Sequence, residues 1–152
     1  MVKDMECIER VQHNFTWRLF KRCYPDKCIN YSFPAYETRC HELMLRSLEF
    51  RRLKFDLVMC YKMLNEFVRV NINDFFQYND LRHGMRGNNK KLLVKRCSKD
   101  VTKYFFSNRI VKTWNCLPDN IVSAINVKKF SVLLIKWMDT VYVANHMIVY
   151  SF

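Results

Sequence analysis

A chain of 152 residues, half of them hydrophobic and 15% aromatic, is too apolar for a disordered tail. It is long enough to bury roughly two-thirds of the surface its unfolded form exposes. Twenty-six Lys and Arg against fourteen Asp and Glu leave a net charge of +12, a field that favours polyanions, nucleic acid first and an anionic membrane surface second.

The elements follow from periodicity, and they predict a mainly α protein: a small helical domain over 1–138, a short β segment near 91–97, and an unrelated C-terminal extension over 139–152. Helices are expected over about 3–22 and 36–45, separated by Tyr24-Pro25 and Phe33-Pro34, because each proline disfavours helix in the residue before it. In the segment over 47–67, Leu53, Leu57, Cys60, Tyr61 and Leu64 share one helical stripe, which Val68 continues. Ser47 suits the N-cap of that helix and Glu49 the positive end of its dipole, while Arg52 and Asp56 are spaced to pair across one turn. Residues 71–80 read as a polar turn around Phe75-Phe76. The only two glycines, Gly84 and Gly87, mark a loop whose backbone needs unusual dihedrals or close approach to a neighbour. A short strand, Leu92-Leu93-Val94, is expected next. From about Thr102 a helix carries Phe106, Ile110, Trp114 and Leu117 on one face and stops before Pro118. A last helix begins near Asn126, with Val127, Phe130, Leu134, Trp137 and Val141 aligned.

The cysteines at 7, 23, 28, 40, 60, 97 and 116 are odd in number and irregular in spacing. They are expected as free thiols in a reducing compartment, cytoplasmic or nuclear. Asp4, Glu6 and Glu9 break up the first twenty residues, so no secretory signal is expected. The apolar run over 132–150 is interrupted by Lys136, Asp139, Asn145 and His146. Each buried charge there would cost about 3 kcal/mol, so no membrane span is expected.

The positive charge is localised. Arg82, Arg86, Lys90, Lys91, Lys95, Arg96, Lys99 and Lys103 face a single acid, Asp100, and this stretch alone supplies +7 of the +12. Such a loop could follow a phosphate backbone without reading bases, the plainer alternative being a solvated basic loop. Tyr104, Phe105, Phe106 and Trp114 are candidate stacking surfaces. The helical stripe assigns Phe106 and Trp114 to the core and leaves Tyr104 as the stacking candidate. Arg109 is a candidate phosphate ligand, or the ion-pair partner of Asp100 or Asp119. Cys23, Cys28, Cys40 and His41 lack the paired spacing of a structural zinc site, and neither a metal nor a cofactor is expected. No Asp-Asp pair could hold the two metal ions of a polymerase. Nor is there a phosphate-binding glycine loop, a nucleophile elbow or a His-Glu-x-x-His helix. The chain is therefore expected not to be an enzyme by itself and to have no small-molecule substrate.

One ordered motif remains: Tyr104-Phe105-Phe106-Ser107-Asn108-Arg109-Ile110-Val111-Lys112-Thr113-Trp114-Asn115-Cys116-Leu117-Pro118-Asp119. Together with Glu9-Arg10, Ser47-Leu48-Glu49-Phe50-Arg51-Arg52, Asp56, Tyr61 and Arg86-Gly87, it resembles the region downstream of the reverse transcriptase domain in non-LTR (Jockey-like) retrotransposon polyproteins. The resemblance spans about residues 9–138. It implies a non-catalytic segment of an RNA-directed DNA polymerase whose catalytic carboxylates lie elsewhere in the polyprotein. The expected partner is RNA or DNA, held through Arg82, Arg86, Lys90, Lys91, Lys95, Arg96, Lys99, Lys103 and Arg109. The alternative is a structural module that packs on the polymerase body.

Overall fold

The structure, a computed structural model, describes residues 2–26, 34–79 and 90–144. Among them are seven α-helices: α1 (Val2–Cys23), α2 (Tyr36–Glu42), α3 (Leu48–Leu64), α4 (Asp100–Lys103), α5 (Phe106–Asn115), α6 (Asp119–Val122) and α7 (Val127–Ala144). A 3-10 turn, Ile72–Asp74, lies between α3 and α4. The protein is mainly helical, and no described helix is long and apolar enough to cross a membrane. The chain divides into two compact units, Met1–Arg52 and Leu53–Phe152.

In the first unit α1 packs on α2 around a polar hub. The Gln12 amide donates to Tyr36 Oη at 2.8 Å and to the Arg46 carbonyl at 3.2 Å, and its oxygen accepts from the Arg51 guanidinium. Tyr36 in turn donates to Glu9 Oε1 at 2.6 Å. Burial first, then the Glu9 bond, hold the Tyr36 phenol far above its usual pKa range. Gln12 and Arg39 are both buried, and such groups are tolerated inside only where partners meet their hydrogen-bonding needs. Arg39 donates to the Pro34 carbonyl at 2.5 Å and lies 3.2 Å from His13 Nε2. Ser47 caps α3 as its position suggests, with Oγ accepting from the Phe50 N–H at 3.1 Å.

The second unit is built on aromatic packing. The Tyr61 and Phe130 rings stack with centroids 4.1 Å apart, and Trp114 lies 6.1 Å from Phe130. Leu57, Cys60 and Leu64 of α3, Ile110 and Val111 of α5, Ile121 of α6, and Leu134 and Met138 of α7 complete this core. The helix at the chain's C-terminal end continues through Ala144, beyond the boundary expected near residue 138. Both α2 and α3 stop without glycine: Met44 and Glu66 take left-handed dihedrals at φ 53° and 58°. Each is followed by a backbone bond back across the turn, Leu45 N–H to the Cys40 carbonyl at 2.8 Å and Phe67 N–H to the Lys62 carbonyl at 2.9 Å.

Two expectations need correction. There is no β segment over 91–97: among the described residues the only pairing is an isolated antiparallel bridge between Tyr78 and Leu92. The helix expected from Thr102 is two, α4 and α5, broken at Tyr104-Phe105. Side chains from inside α5 bond to carbonyls at the break. Asn108 Nδ2 donates to the Thr102 carbonyl at 2.7 Å and Arg109 Nη1 to the Tyr104 carbonyl at 3.1 Å. Carbonyls engaged this way offer the chain an alternative to a continuous helical ladder.

Candidate nucleic-acid interface

The basic stretch emerges from a backbone held on two sides at Leu92. Toward Tyr78, the Leu93 N–H donates to the Gln77 carbonyl at 2.7 Å and the Asn79 N–H to the Lys91 carbonyl at 3.0 Å. Those bonds leave the N–H and C=O of Leu92 itself facing the other way, where a further strand would normally pair. Asn115 takes that place. Its Oδ1 accepts from the Leu92 N–H at 2.9 Å and its Nδ2 donates to the Leu92 carbonyl at 2.8 Å, so one carboxamide reproduces the two-point pairing of a peptide group. No further strand pairs with Leu92 on this side among the described residues.

The neighbouring Trp114 adds a second grip two residues earlier. Its indole is buried in the core, and Nε1 donates to the Lys90 carbonyl at 2.9 Å. The Lys90 ammonium meets Asn65 Oδ1 at 2.6 Å, and Asn65 Nδ2 caps the Tyr61 carbonyl at the end of α3 at 2.8 Å. A cation near a helix C-terminus is favoured by the helix dipole. Lys90 thus helps to anchor the stretch to which it belongs.

Beyond Leu92 the chain runs irregularly to α4, and its side chains turn outward. Lys95, Arg96 and Lys99 are exposed; Lys91 and Lys103 are half-buried. The Lys103 ammonium sits 5.7 Å from the centroid of the Tyr104 ring, a cation-π arrangement. Tyr104, the stacking candidate from sequence, is half-buried, whereas Phe105 is exposed. Arg82, Arg86, Gly84 and Gly87 lie outside the described residues, as does Cys28.

Arg109 has a partner that local spacing did not suggest. Its Nε and Nη2 donate to the two oxygens of Asp56 at 2.9 and 2.8 Å, a bidentate pair joining α5 to α3 across 53 positions of sequence. The carboxylate expected to pair with Arg52, and the arginine expected to pair with Asp100 or Asp119, are therefore used on each other. The fork matches the carboxylate in two parallel bonds, a geometry lysine cannot supply. Leu117 is buried just past α5. Pro118 occupies the N-cap of α6, where its carbonyl accepts from Ile121 at 3.1 Å.

Four motif residues, Arg109, Trp114, Asn115 and Leu117, thus act on structure, and two of them hold the backbone of the basic stretch at residues 90 and 92. Sequence reasoning missed Asn115 because its role is a contact with backbone 23 positions away. No three His, Cys, Asp or Glu side chains cluster as a metal ion would need among the described residues. The site presents cations and aromatic rings, chemistry suited to holding an anion. Comparison with protein-family models, curated proteins and solved structures returns no match for this chain.

Proposed function

We propose that the chain is a non-catalytic nucleic-acid-binding segment of the kind that follows the reverse transcriptase domain in non-LTR retrotransposon polyproteins. In this reading it holds RNA or DNA by its phosphates in the cytoplasm or nucleus. One observation carries the reading: the Trp114 and Asn115 side chains grip the backbone at residues 90 and 92, at the start of a stretch whose Lys95, Arg96 and Lys99 project into solvent. Cations on a held backbone contact phosphates at a smaller ordering cost than cations on a free loop. Lys91 and Lys103 flank the set. Arg109, whose guanidinium is engaged with Asp56, contributes by fixing α5.

The test is binding to RNA and DNA across a salt series. Replacing Lys91, Lys95, Arg96 and Lys99 together by glutamine is expected to flatten the dependence of log affinity on log salt by about one unit per lost phosphate contact. An unchanged slope in the fourfold variant would remove the argument.

A second reading has its own support. On α1, Ile8, Val11 and Phe15 recur at helical spacing and are all more than half exposed, which suits a module that packs on another body such as the polymerase itself. A chain that stays monomeric at high concentration and binds no hydrophobic dye would count against it.

A further inference from the structure

The basic stretch is interleaved with apolar side chains that packing does not account for. Leu93 and Val94 are exposed beside Lys95 and Arg96, and Val101, 82% exposed, lies between Lys99 and Lys103. Single exposed apolar residues are ordinary. Several of them set among cations make a mixed surface, suited to a partner that combines negative charge with apolar faces.

Phe105 is the residue that local rules explain least. It occupies the N-cap of α5, at φ −63° and ψ 144°, and makes no side-chain capping bond. Serine, threonine, aspartate or asparagine there would accept an orphan N–H of the first turn. The phenyl ring gives up that bond and, being 55% exposed, gives up burial as well. Positions that satisfy neither local propensity nor packing are where function is sought first.

The backbone carrying this ring is nevertheless well held. The Phe105 N–H donates to the Thr102 carbonyl at 3.3 Å, and its own carbonyl accepts from the Asn108 and Arg109 N–H groups, both at 3.0 Å. The preceding carbonyl, that of Tyr104, accepts from Arg109 Nη1, and Arg109 is tied to Asp56. The ring is an apolar plate on a braced turn. The Lys103 ammonium stands over the adjacent Tyr104 ring, and α4 brings Lys99 within one helical turn of Lys103, whose N–H donates to the Lys99 carbonyl at 3.1 Å.

We infer that Phe105 is a base-stacking platform and that the partner of this surface is single-stranded nucleic acid. Its phosphates lie along Lys95, Arg96, Lys99 and Lys103, and one unpaired base rests on the phenyl ring. The inference rests on the phosphate-binding reading above and narrows it. A duplex keeps its base faces stacked on one another and offers Phe105 nothing, whereas every unpaired base has a π face free. Aromatic stacking is indifferent to base identity, so the surface discriminates strandedness and not sequence. RNA and DNA strands share the chemistry, and the experiment separates them.

The test measures binding of the full chain to four labelled probes of equal length: oligouridine, oligothymidine, a DNA duplex, and an abasic deoxyribose-phosphate strand that keeps the charges and lacks the bases. Wild-type protein is expected to favour the two base-bearing strands over the abasic one by roughly five- to tenfold. Phe105→Leu should erase that gap while leaving the salt slope and duplex binding as they are, and Phe105→Trp should preserve it. Far-ultraviolet circular dichroism checks that both variants keep their helices. Equal binding of all probes by wild type and Phe105→Leu would overturn the inference, as would a loss in Phe105→Leu shared by the duplex and the abasic strand. Absence of binding to any probe would instead remove the phosphate-binding reading beneath it. Tighter capture of polyglutamate than of either base-bearing strand would overturn the choice of partner. A difference between the uridine and thymidine probes identifies the preferred strand and upholds the inference.

Discussion

Replacing Asn115 by alanine removes both bonds to Leu92 in one step, and the cost can be worked from the geometry. Leu92 is buried, and its N–H and C=O face Asn115 at 2.9 and 2.8 Å, so the alanine variant leaves two backbone groups without their partners. At about 1–3 kcal/mol for each buried group left unpaired, and with Asn115 itself half-buried, the loss comes to about 2–4 kcal/mol. That is a large fraction of the roughly 5–15 kcal/mol by which domains are stable. Urea denaturation should show a lower midpoint at unchanged slope, and the melting temperature should fall by about 10 °C or more. Asn115→Asp keeps an acceptor for the Leu92 N–H but sets a carboxylate oxygen against the Leu92 carbonyl, so it should be no milder. Hydrogen exchange at the Leu92 amide locates the effect, with protection lost in the alanine variant. A variant within about 0.5 kcal/mol of wild type whose Leu92 amide stays protected would refute the clamp.

Asp56 and Arg109 should couple by about 1–3 kcal/mol in a double-mutant cycle of Asp56→Asn and Arg109→Lys, because the bond is bidentate and only partly exposed; strict additivity would mean the pair contributes nothing. Burial holds the Tyr61 phenol above its usual range, and the hydroxyl donates to the Ala124 carbonyl at 2.5 Å. The folded chain therefore keeps this proton where the unfolded chain releases it. Its contribution is complete below about pH 10 and is lost as pH rises beyond that. Tyr61→Phe should be less stable at neutral pH yet decline more gently in alkali, and parallel alkaline slopes would count against the assignment. Glu66→Gly should raise stability by about 0.5–1 kcal/mol, since glycine takes the left-handed dihedrals at the end of α3 without steric cost; a destabilised variant would show that the Glu66 side chain matters more than its backbone.

Helices α3 and α7 were legible because each has an apolar face to bury. The stripe of Leu57, Cys60, Tyr61 and Leu64 is the buried face of α3, and Phe130 and Leu134 are that of α7. What escaped were bonds between side chains and distant backbone. Apolar residues at 92–94 read as a strand, but a strand needs partners on its edges, and the Asn115 carboxamide occupies one edge of Leu92. Periodicity carried one helix from Thr102 to Leu117, whereas Asn108 and Arg109 engage carbonyls in its first turn. Spacing offered Arg109 the nearby Asp100 and Asp119, and the fold supplied Asp56. The basic stretch was visible by charge alone. That its exposed ring is Phe105 and not Tyr104 depends on a cap geometry that composition does not encode.

The bonds from Trp114 and Asn115 go to peptide groups: Trp114 binds a carbonyl at residue 90, and Asn115 binds an N–H and a carbonyl at residue 92, while beyond them the side chains at 93–96 are exposed. Substitution along the stretch can therefore change what it presents to a ligand without loosening how it is mounted. Position 92 is the exception, since its side chain is buried and proline there would also bring no N–H for Asn115 to accept. Scaffold and recognition surface are in this way separately mutable. A library randomised over residues 93–99, with Trp114 and Asn115 kept, should yield folded proteins of altered affinity, whereas randomising those two should yield few that fold.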